Sequence, residues 1–252
     1  MTTADRKSVQ ISVLSAAKGL LAADKPAGMS VHNDPGRDLC SLASAFIQKE
    51  AAIHDRIEMD PDFGVHPVHR LDRETSGVVL LAVNRELFRF FSKQFESRQV
   101  KKRYIAILHG LLKEAEGSDQ WLIWRWALAP TAAGRRNPRG AGRRLESQTR
   151  YRILGHSAHY TMVELEPLSG RTHQIRRHAK LAGHPVVGDA RYGSKRALDY
   201  LRSNCAFDRL ALHARALTLQ LFPGQDVQTI ETPTIPGEML DLFENDLPRI
   251  PQ

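Results

Sequence analysis

Hydrophobic positions along the chain fall into short apolar runs and amphipathic stretches of helical period. The run Val78-Val79-Leu80-Leu81-Ala82-Val83 has no polar member, which predicts a strand buried on both faces. Residues 18 to 24 predict a first strand ending at Lys25-Pro26, where proline forces a turn. Arg103 to His109 predicts another, and the alternation over Met162 to Glu166 predicts a half-buried one. Leu39, Leu42, Ala45, Phe46 and Ile47 recur at helical spacing over Leu39 to Ala52, as do Leu87, Phe90, Phe91 and Phe95 over Glu86 to Phe95. Phenylalanines recurring on one helical face predict core packing rather than platforms for a ligand.

A further helix is predicted over Thr172 to Gly183, with Thr172 as N-cap and Gly183 ending it before Pro185. Ile175, Ala179 and Ala182 share its buried side, which sends Arg177 and Lys180 toward solvent and leaves Arg176 aimed at the sheet end. Between residues 109 and 162 the pattern predicts an irregular insertion. Its tip, residues 134 to 144, is rich in glycine, proline and arginine and has no apolar anchor, so it is expected to be mobile until it meets phosphate. Residues 1–17 read as a lead-in and 18–252 as one domain.

The loop before the apolar strand has to emerge at a sheet end, where polar loops on rigid strands favour sites. Asp72 lies there beside Arg70 and Arg73, and such neighbours favour the ionised carboxylate. On the residues alone two readings stand: a nucleophilic carboxylate, or a structural ion pair capping a turn.

Charge narrows the partners. The chain has 252 residues, with 36 Lys and Arg against 28 Asp and Glu, a net charge of +8. The positive charge is concentrated mid-chain, around residues 85–103, 135–144 and 171–196, while the C-terminal stretch is acidic. This suggests a basic working face for a polyanion. Cys40 and Cys205 form no paired motif, which argues against a zinc site or a disulfide framework and suits a reducing compartment. Lys18 interrupts the mildly apolar start, no apolar run is long enough to span a bilayer, and a cytoplasmic protein with no membrane partner is expected.

The run from His69 to Ala82, HRLDRETSGVVLLA, resembles the catalytic signature of the RluA-type RNA pseudouridine synthases. Three more blocks follow in that family's order: Leu21 to Met29, Lys101-Lys102-Arg103-Tyr104, and Gly170 to His178 running on to Gly188-Asp189. Leu212-His213-Ala214 completes the series, and the likeness spans about residues 20 to 222. An ordered series is more specific than any one motif.

The resemblance implies an α+β catalytic fold with a mixed, mainly antiparallel central sheet flanked by helices and loops; many members carry a small RNA-binding domain before it, and none is expected here. It implies an isomerase acting without cofactor on structured rRNA or tRNA, and a monomer is expected. Asp72 would be the catalytic carboxylate, Arg176 would pair with it, and Tyr104 would stack on the target base with its hydroxyl near the proton to be moved. Arg70 would fill the space left by a flipped uridine. Ile175 and Leu212 would line the base pocket. Arg73, Arg171, His173 and Gln174 would contact substrate, as would Arg135 and Arg136 of the arginine-rich loop. The doubly basic Arg176-Arg177-His178 resembles the tRNA-acting branch called TruC.

Three other classes compete. A non-catalytic RNA-binding or chaperone protein has no need of a carboxylate in a phosphate groove. A glycosidase-like hydrolase calls for two flanking carboxylates, and Glu74, the only nearby second acid, is expected to serve a turn. Metal catalysis lacks ligand spacing: His66 and His69 are three apart, His173 and His178 five apart, and the motifs of zinc nucleobase deaminases are missing.

Overall fold

The computed structural model describes residues 11–112, 120–131 and 134–247. Every residue of β4 (Ser76–Ala82) is buried, because alternate side chains leave a strand on opposite faces and here both faces are covered. Val79 and Leu81, with Leu21 and Ala23 of β2 (Leu20–Lys25), pack on Leu39, Ala43 and Ile47 of α1 (Leu39–Lys49) and Ile57 of α2 (Ala51–Ile57). On the other face Val78, Leu80 and Ala82 meet Leu87 and Phe91 of α3 (Arg85–Glu96). Phe90 and Phe95 pack against that same cluster, as their spacing predicted. The first predicted helix is broken at Glu50, whose backbone is extended, and restarts as α2.

Ten described strands form one sheet in the order β1 (Ser12–Ala17), β2, β4, β9 (Leu212–Gln220), β5 (Lys101–His109), β8 (Tyr160–Pro167), β7 (Gln148–His156), β6 (Leu122–Arg125). β3 (His66–Pro67) pairs with β4 and β10 (Val227–Glu231) with β9. Only the central β4–β9 pairing is parallel. Thus the architecture is the α+β, mixed and mainly antiparallel one that the resemblance implied. Helices α4 (Gln174–Leu181), α5 (Lys195–Cys205) and α6 (Gly237–Glu244) contribute Ile175, Ala179, Leu201, Met239 and Leu242 to a further core on β5, β7 and β8.

The structure corrects five expectations. The lead-in is partly a strand: β1 forms a hairpin with β2, and Lys18 and Gly19, both at positive φ, make its two-residue turn. The insertion between 109 and 162 contains β6 and β7, and buried Thr149, Tyr151 and Ile153 alternate along β7. β8 is buried nearly throughout rather than on one side, and its buried acid Glu164 accepts from Arg152 at 2.6 Å and lies 3.6 Å from Arg103. Helix α4 starts at Gln174, and His173, not Thr172, takes the N-cap position without a side-chain cap. Arg177 is fully buried instead of projecting to solvent.

That last correction changes the arginine-rich loop as well. Arg177 donates to the carbonyls of Ala129, Pro138 and Arg139 at 2.9, 2.6 and 2.7 Å. The expected mobile tip is therefore anchored, by a cation rather than by apolar contacts.

Candidate active site

Asp72 lies one turn before β4, at the end of the sheet where the parallel strands β4 and β9 both begin. Its carbonyl accepts from Thr75 N at 3.1 Å, closing the turn. Arg73 is tied across to Gly28 twice: Gly28 N donates to Arg73 O at 2.8 Å, and Arg73 Nε donates back to Gly28 O at 2.9 Å. Lys25, fully buried, donates from Nζ to the carbonyls of Met29, Pro26 and Arg73 at 2.8, 3.0 and 3.2 Å. Burial pushes its pKa down to about 8, with the charges of Asp72 and Glu74 acting in the opposite sense. Two segments far apart in sequence are thereby clamped under the Asp72 loop.

Close approach of the parallel strands explains Gly77. Its φ is +115°, and a Cβ there would stand 2.2 Å from the carbonyl oxygen of Ala214. Beside it, Ser76 Oγ lies 2.8 Å from His213 Nδ1, and His213 Nε2 lies 2.8 Å from Thr232 Oγ1. Arg209 Nη2 also donates to Ser76 Oγ, at 2.5 Å. Burial, then the charges of Arg209 and Arg215, push His213 down to about 4, so it is neutral and structural.

A cleft of about 1110 Å³ opens over this loop. Arg70, Asp72, Arg73, Tyr104, Arg171, His173, Gln174, Ile175, Arg176 and Leu212 all line it. Arg176 Nη1 donates to Asp72 Oδ2 at 3.1 Å and to Glu74 Oε2 at 3.3 Å. Its Nε and Nη2 donate in parallel to Asp189 at 2.8 and 2.9 Å. Burial opposes the charge on Arg176, yet the hydrogen bonds and charge of Asp189, followed by Asp72, outweigh it and hold its pKa above the ordinary value. Only 3% of its side chain is exposed, against 25% for Asp72. The carboxylate is therefore much more accessible from the cleft than the guanidinium behind it.

Buried Ile175 and Leu212 form an apolar floor. Tyr104 lies across the junction of two cores, and burial, then the charge of Asp72, raise its phenol well above the usual range. It therefore presents a neutral hydroxyl and a ring. His173 sits in the left-handed region with φ +53°, its Nδ1 3.1 Å from Tyr192 Oη and its Nε2 3.8 Å from Asp72 Oδ1. Burial lowers its pKa, Asp72 opposes this and Arg176 adds to it, so the ring offers Asp72 little charge near neutrality. Arg70 and Arg73 are exposed at the rim. Arg171 Nε is buried with no hydrogen-bond partner among the described residues.

Some of these residues make contacts that sequence spacing does not predict. Gln174 lines the cleft, but its amide is fully engaged within the protein: Oε1 accepts from Ser169 Oγ and Arg171 N, and Nε2 donates to Gln148 O and Thr149 Oγ1. These bonds fix the Gly170-Arg171 turn from within the protein. Glu74, expected to serve a turn, shares Arg176 with Asp72. Arg135 and Arg136 stand outside the cleft lining, and Arg135 Nη1 instead donates to Gly193 O at 3.2 Å. Asp189 and Lys25 fall within the motif blocks, but the sequence gives no role to either. Their contacts join chain segments too far apart for local spacing to reveal.

Among the described residues no group of three or more His, Cys, Asp or Glu is placed to hold a metal, and no helix is long and apolar enough to cross a membrane.

A family model described as RNA pseudouridylate synthase matches residues 19–181. The chain is 34% identical over 220 residues to tRNA pseudouridine synthase C of Haemophilus ducreyi, covering 83% of this chain and 85% of that protein. It is 33% identical over 220 residues to the ribosomal large subunit pseudouridine synthase C of Escherichia coli strain K12, covering 86% of this chain and 65% of the relative. The chain thus spans slightly under two thirds of that ribosomal relative's length. Human RNA pseudouridylate synthase domain containing 4 has the same fold, with a TM-score of 0.69 at 22% identity over 92% of this chain and 91% of that one. Human RNA pseudouridylate synthase domain containing 1 is similar, with a TM-score of 0.68 at 23% identity over 93% of this chain and 86% of that one. The family match across most of the chain, and relatives above 30% identity along it, agree with the motif series read from the residues: the chain belongs to the RluA-type RNA pseudouridylate synthase family.

Proposed function

We propose that this chain converts specific uridines of structured tRNA or rRNA to pseudouridine, with Asp72 as the catalytic carboxylate. The observation that carries the reading is the reachable Asp72 held by a guanidinium that Asp189 has already oriented. Fixed geometry of this kind favours chemistry over simple charge pairing.

The reaction breaks the bond between uracil N1 and the anomeric carbon, turns the base and joins it through carbon five. One proton leaves carbon five and one is gained at N1, so atoms and charge balance without cofactor. Asp72 either bonds to the sugar or removes a sugar proton to give an unsaturated intermediate. Ile175 and Leu212 retain the loose base against an apolar surface, and Tyr104 lies under it with its neutral hydroxyl available for the proton at carbon five. Base flipping costs a few kcal/mol, and exposed Arg70 at the rim is suited to fill the vacated stack. Arg171 and Arg73 supply positive charge for the flanking phosphates.

The test incubates unmodified tRNA and large-subunit rRNA transcripts with the native chain and with Asp72→Asn, followed by nucleoside analysis by mass spectrometry. Pseudouridine formed by the native chain alone is the expected result, and the transcript that gains it names the substrate. Free uracil with abasic RNA would indicate a hydrolase. Tight binding without product would indicate an RNA-binding protein.

A further inference from the structure

Arg177 is the largest of the fully buried side chains, and no described carboxylate pairs with it. Its charge is met by carbonyl oxygens alone: Pro138 and Arg139 from the arginine-rich loop, Ala129 from the segment leading to it, and Thr172, at 3.2 Å, from the cleft rim. Burial lowers its pKa below the ordinary value. Holding a guanidinium there has a cost, and only a planar fork of five donors can serve four carbonyls at once. Arg139 O receives a second donor, Ala129 N at 2.8 Å, and Leu128 bridges Leu145, so the base of the loop is closed as well.

This clamped backbone carries five exposed arginines, of which Arg144 folds back to donate to Gly140 O at 3.3 and 3.4 Å. Arg135, Arg136, Arg139, Arg143 and Arg144 are exposed, and none forms an ion pair with a described carboxylate. Arg135 docks on Gly193, four residues beyond the Asp189 that holds Arg176, and Arg191 in the same segment lines the cleft. Loop and cleft are thus parts of one surface, joined at Thr172 and at residues 189–193.

We propose that Arg177 is a positioning residue that preforms loop 134–144 as a phosphate-binding arm, gripping the substrate RNA beyond the stretch that enters the cleft. A loop ordered before binding avoids the entropy that a free arginine-rich segment loses on contact. Arg176 and Arg177, adjacent on α4, then divide the work: one orients Asp72, the other fixes the arm.

The proposal rests on the RNA reading above for its activity readout, while its binding readout is independent of turnover. The experiment compares the native chain, Arg177→Met and the surface variant Arg135→Gln/Arg139→Gln/Arg143→Gln on a full-length tRNA or rRNA transcript and on a short stem-loop cut from it around the modified uridine. Both variants are expected to raise KM on the long transcript by roughly tenfold or more, with the loss in KM rather than kcat, and to flatten the dependence of binding on salt. On the stem-loop the KM rise is expected to vanish. Combining the two sets should add little, because Arg177 acts through the loop. Equal losses on both RNAs, or a loss in kcat, would overturn the proposal. If Arg177→Met does not fold, the surface variant decides alone, and an unchanged KM and salt slope on the long transcript would refute the arm. If the native chain binds transcripts but makes no pseudouridine, the isomerase reading fails while the salt slopes still decide the arm.

Discussion

Asp189 grips Arg176 through two parallel hydrogen bonds of 2.8 and 2.9 Å, leaving one nitrogen of that guanidinium for Asp72 at 3.1 Å. Asp189 has no exposed side-chain surface and also accepts from the backbone N–H groups of Arg191 and Tyr192. The Tyr192 ring lies 5.6 Å from the guanidinium carbon. Arg176 is therefore fixed from behind, and the direction it gives Asp72 depends on an acid that never meets the substrate.

Asp189→Asn keeps the shape of this support but loses its charge and one of its two acceptors. A fall in kcat of roughly 10- to 100-fold is expected, with RNA affinity little changed. Single-turnover rates alongside a binding titration check this. A collapse in affinity equal to that in rate would make Asp189 a general structural residue.

Gly77→Ala forces a Cβ against the Ala214 carbonyl at a φ that alanine rarely adopts. The expected loss is about 2–4 kcal/mol, or failure to fold, because strand separation at the sheet centre has to change. Urea denaturation measures it, and a midpoint equal to the native one would contradict the close approach of β4 and β9.

Acid should weaken the fold in a defined window. Burial holds both His178 and His213 at about 4, below the usual 6.5. The unfolded chain therefore binds more protons than the folded one between about pH 6.5 and pH 4, and stability falls as pH drops through that range. Each histidine contributes on the order of 1 kcal/mol per pH unit there. Denaturation midpoints measured from pH 7 to pH 4 should fall steadily, and His213→Gln should flatten the slope. A slope unaffected by that change would show that His213 titrates normally in the fold.

Gln174→Leu removes four internal hydrogen bonds and strands the groups that made them. A loss of about 2–4 kcal/mol in stability is expected. Thermal melting and KM measured well below the melting point separate the two roles: a stable variant with a raised KM would return Gln174 to substrate contact.

The fold was legible where a pattern was local. The apolar run from Val78, the phenylalanine face of α3 and the Asp72 loop between charged neighbours each appear in one short window. The alternation of Thr149, Tyr151 and Ile153 carries the signal for β7, but it is short and follows directly on a stretch of glycines and arginines that predicts a loop. The hairpin at Lys18-Gly19 was concealed because lysine at positive φ gives no sequence signal, and only Gly19 marks the turn. Arg177 and Asp189 were beyond local reading: a buried arginine is legible only through the four carbonyls that surround it, which come from three separate places in the chain. Helical spacing alone assigns an arginine to solvent, and here tertiary hydrogen bonding overrides that assignment.

The central claim, that Asp72 makes pseudouridine in a specific RNA, is tested most directly by carbodiimide mapping of RNA from source cells lacking this gene. The account predicts that one or a few reverse-transcription stops disappear from tRNA or rRNA, and that the native chain restores them while Asp72→Asn does not. Restoration of those stops by Asp72→Asn would contradict it.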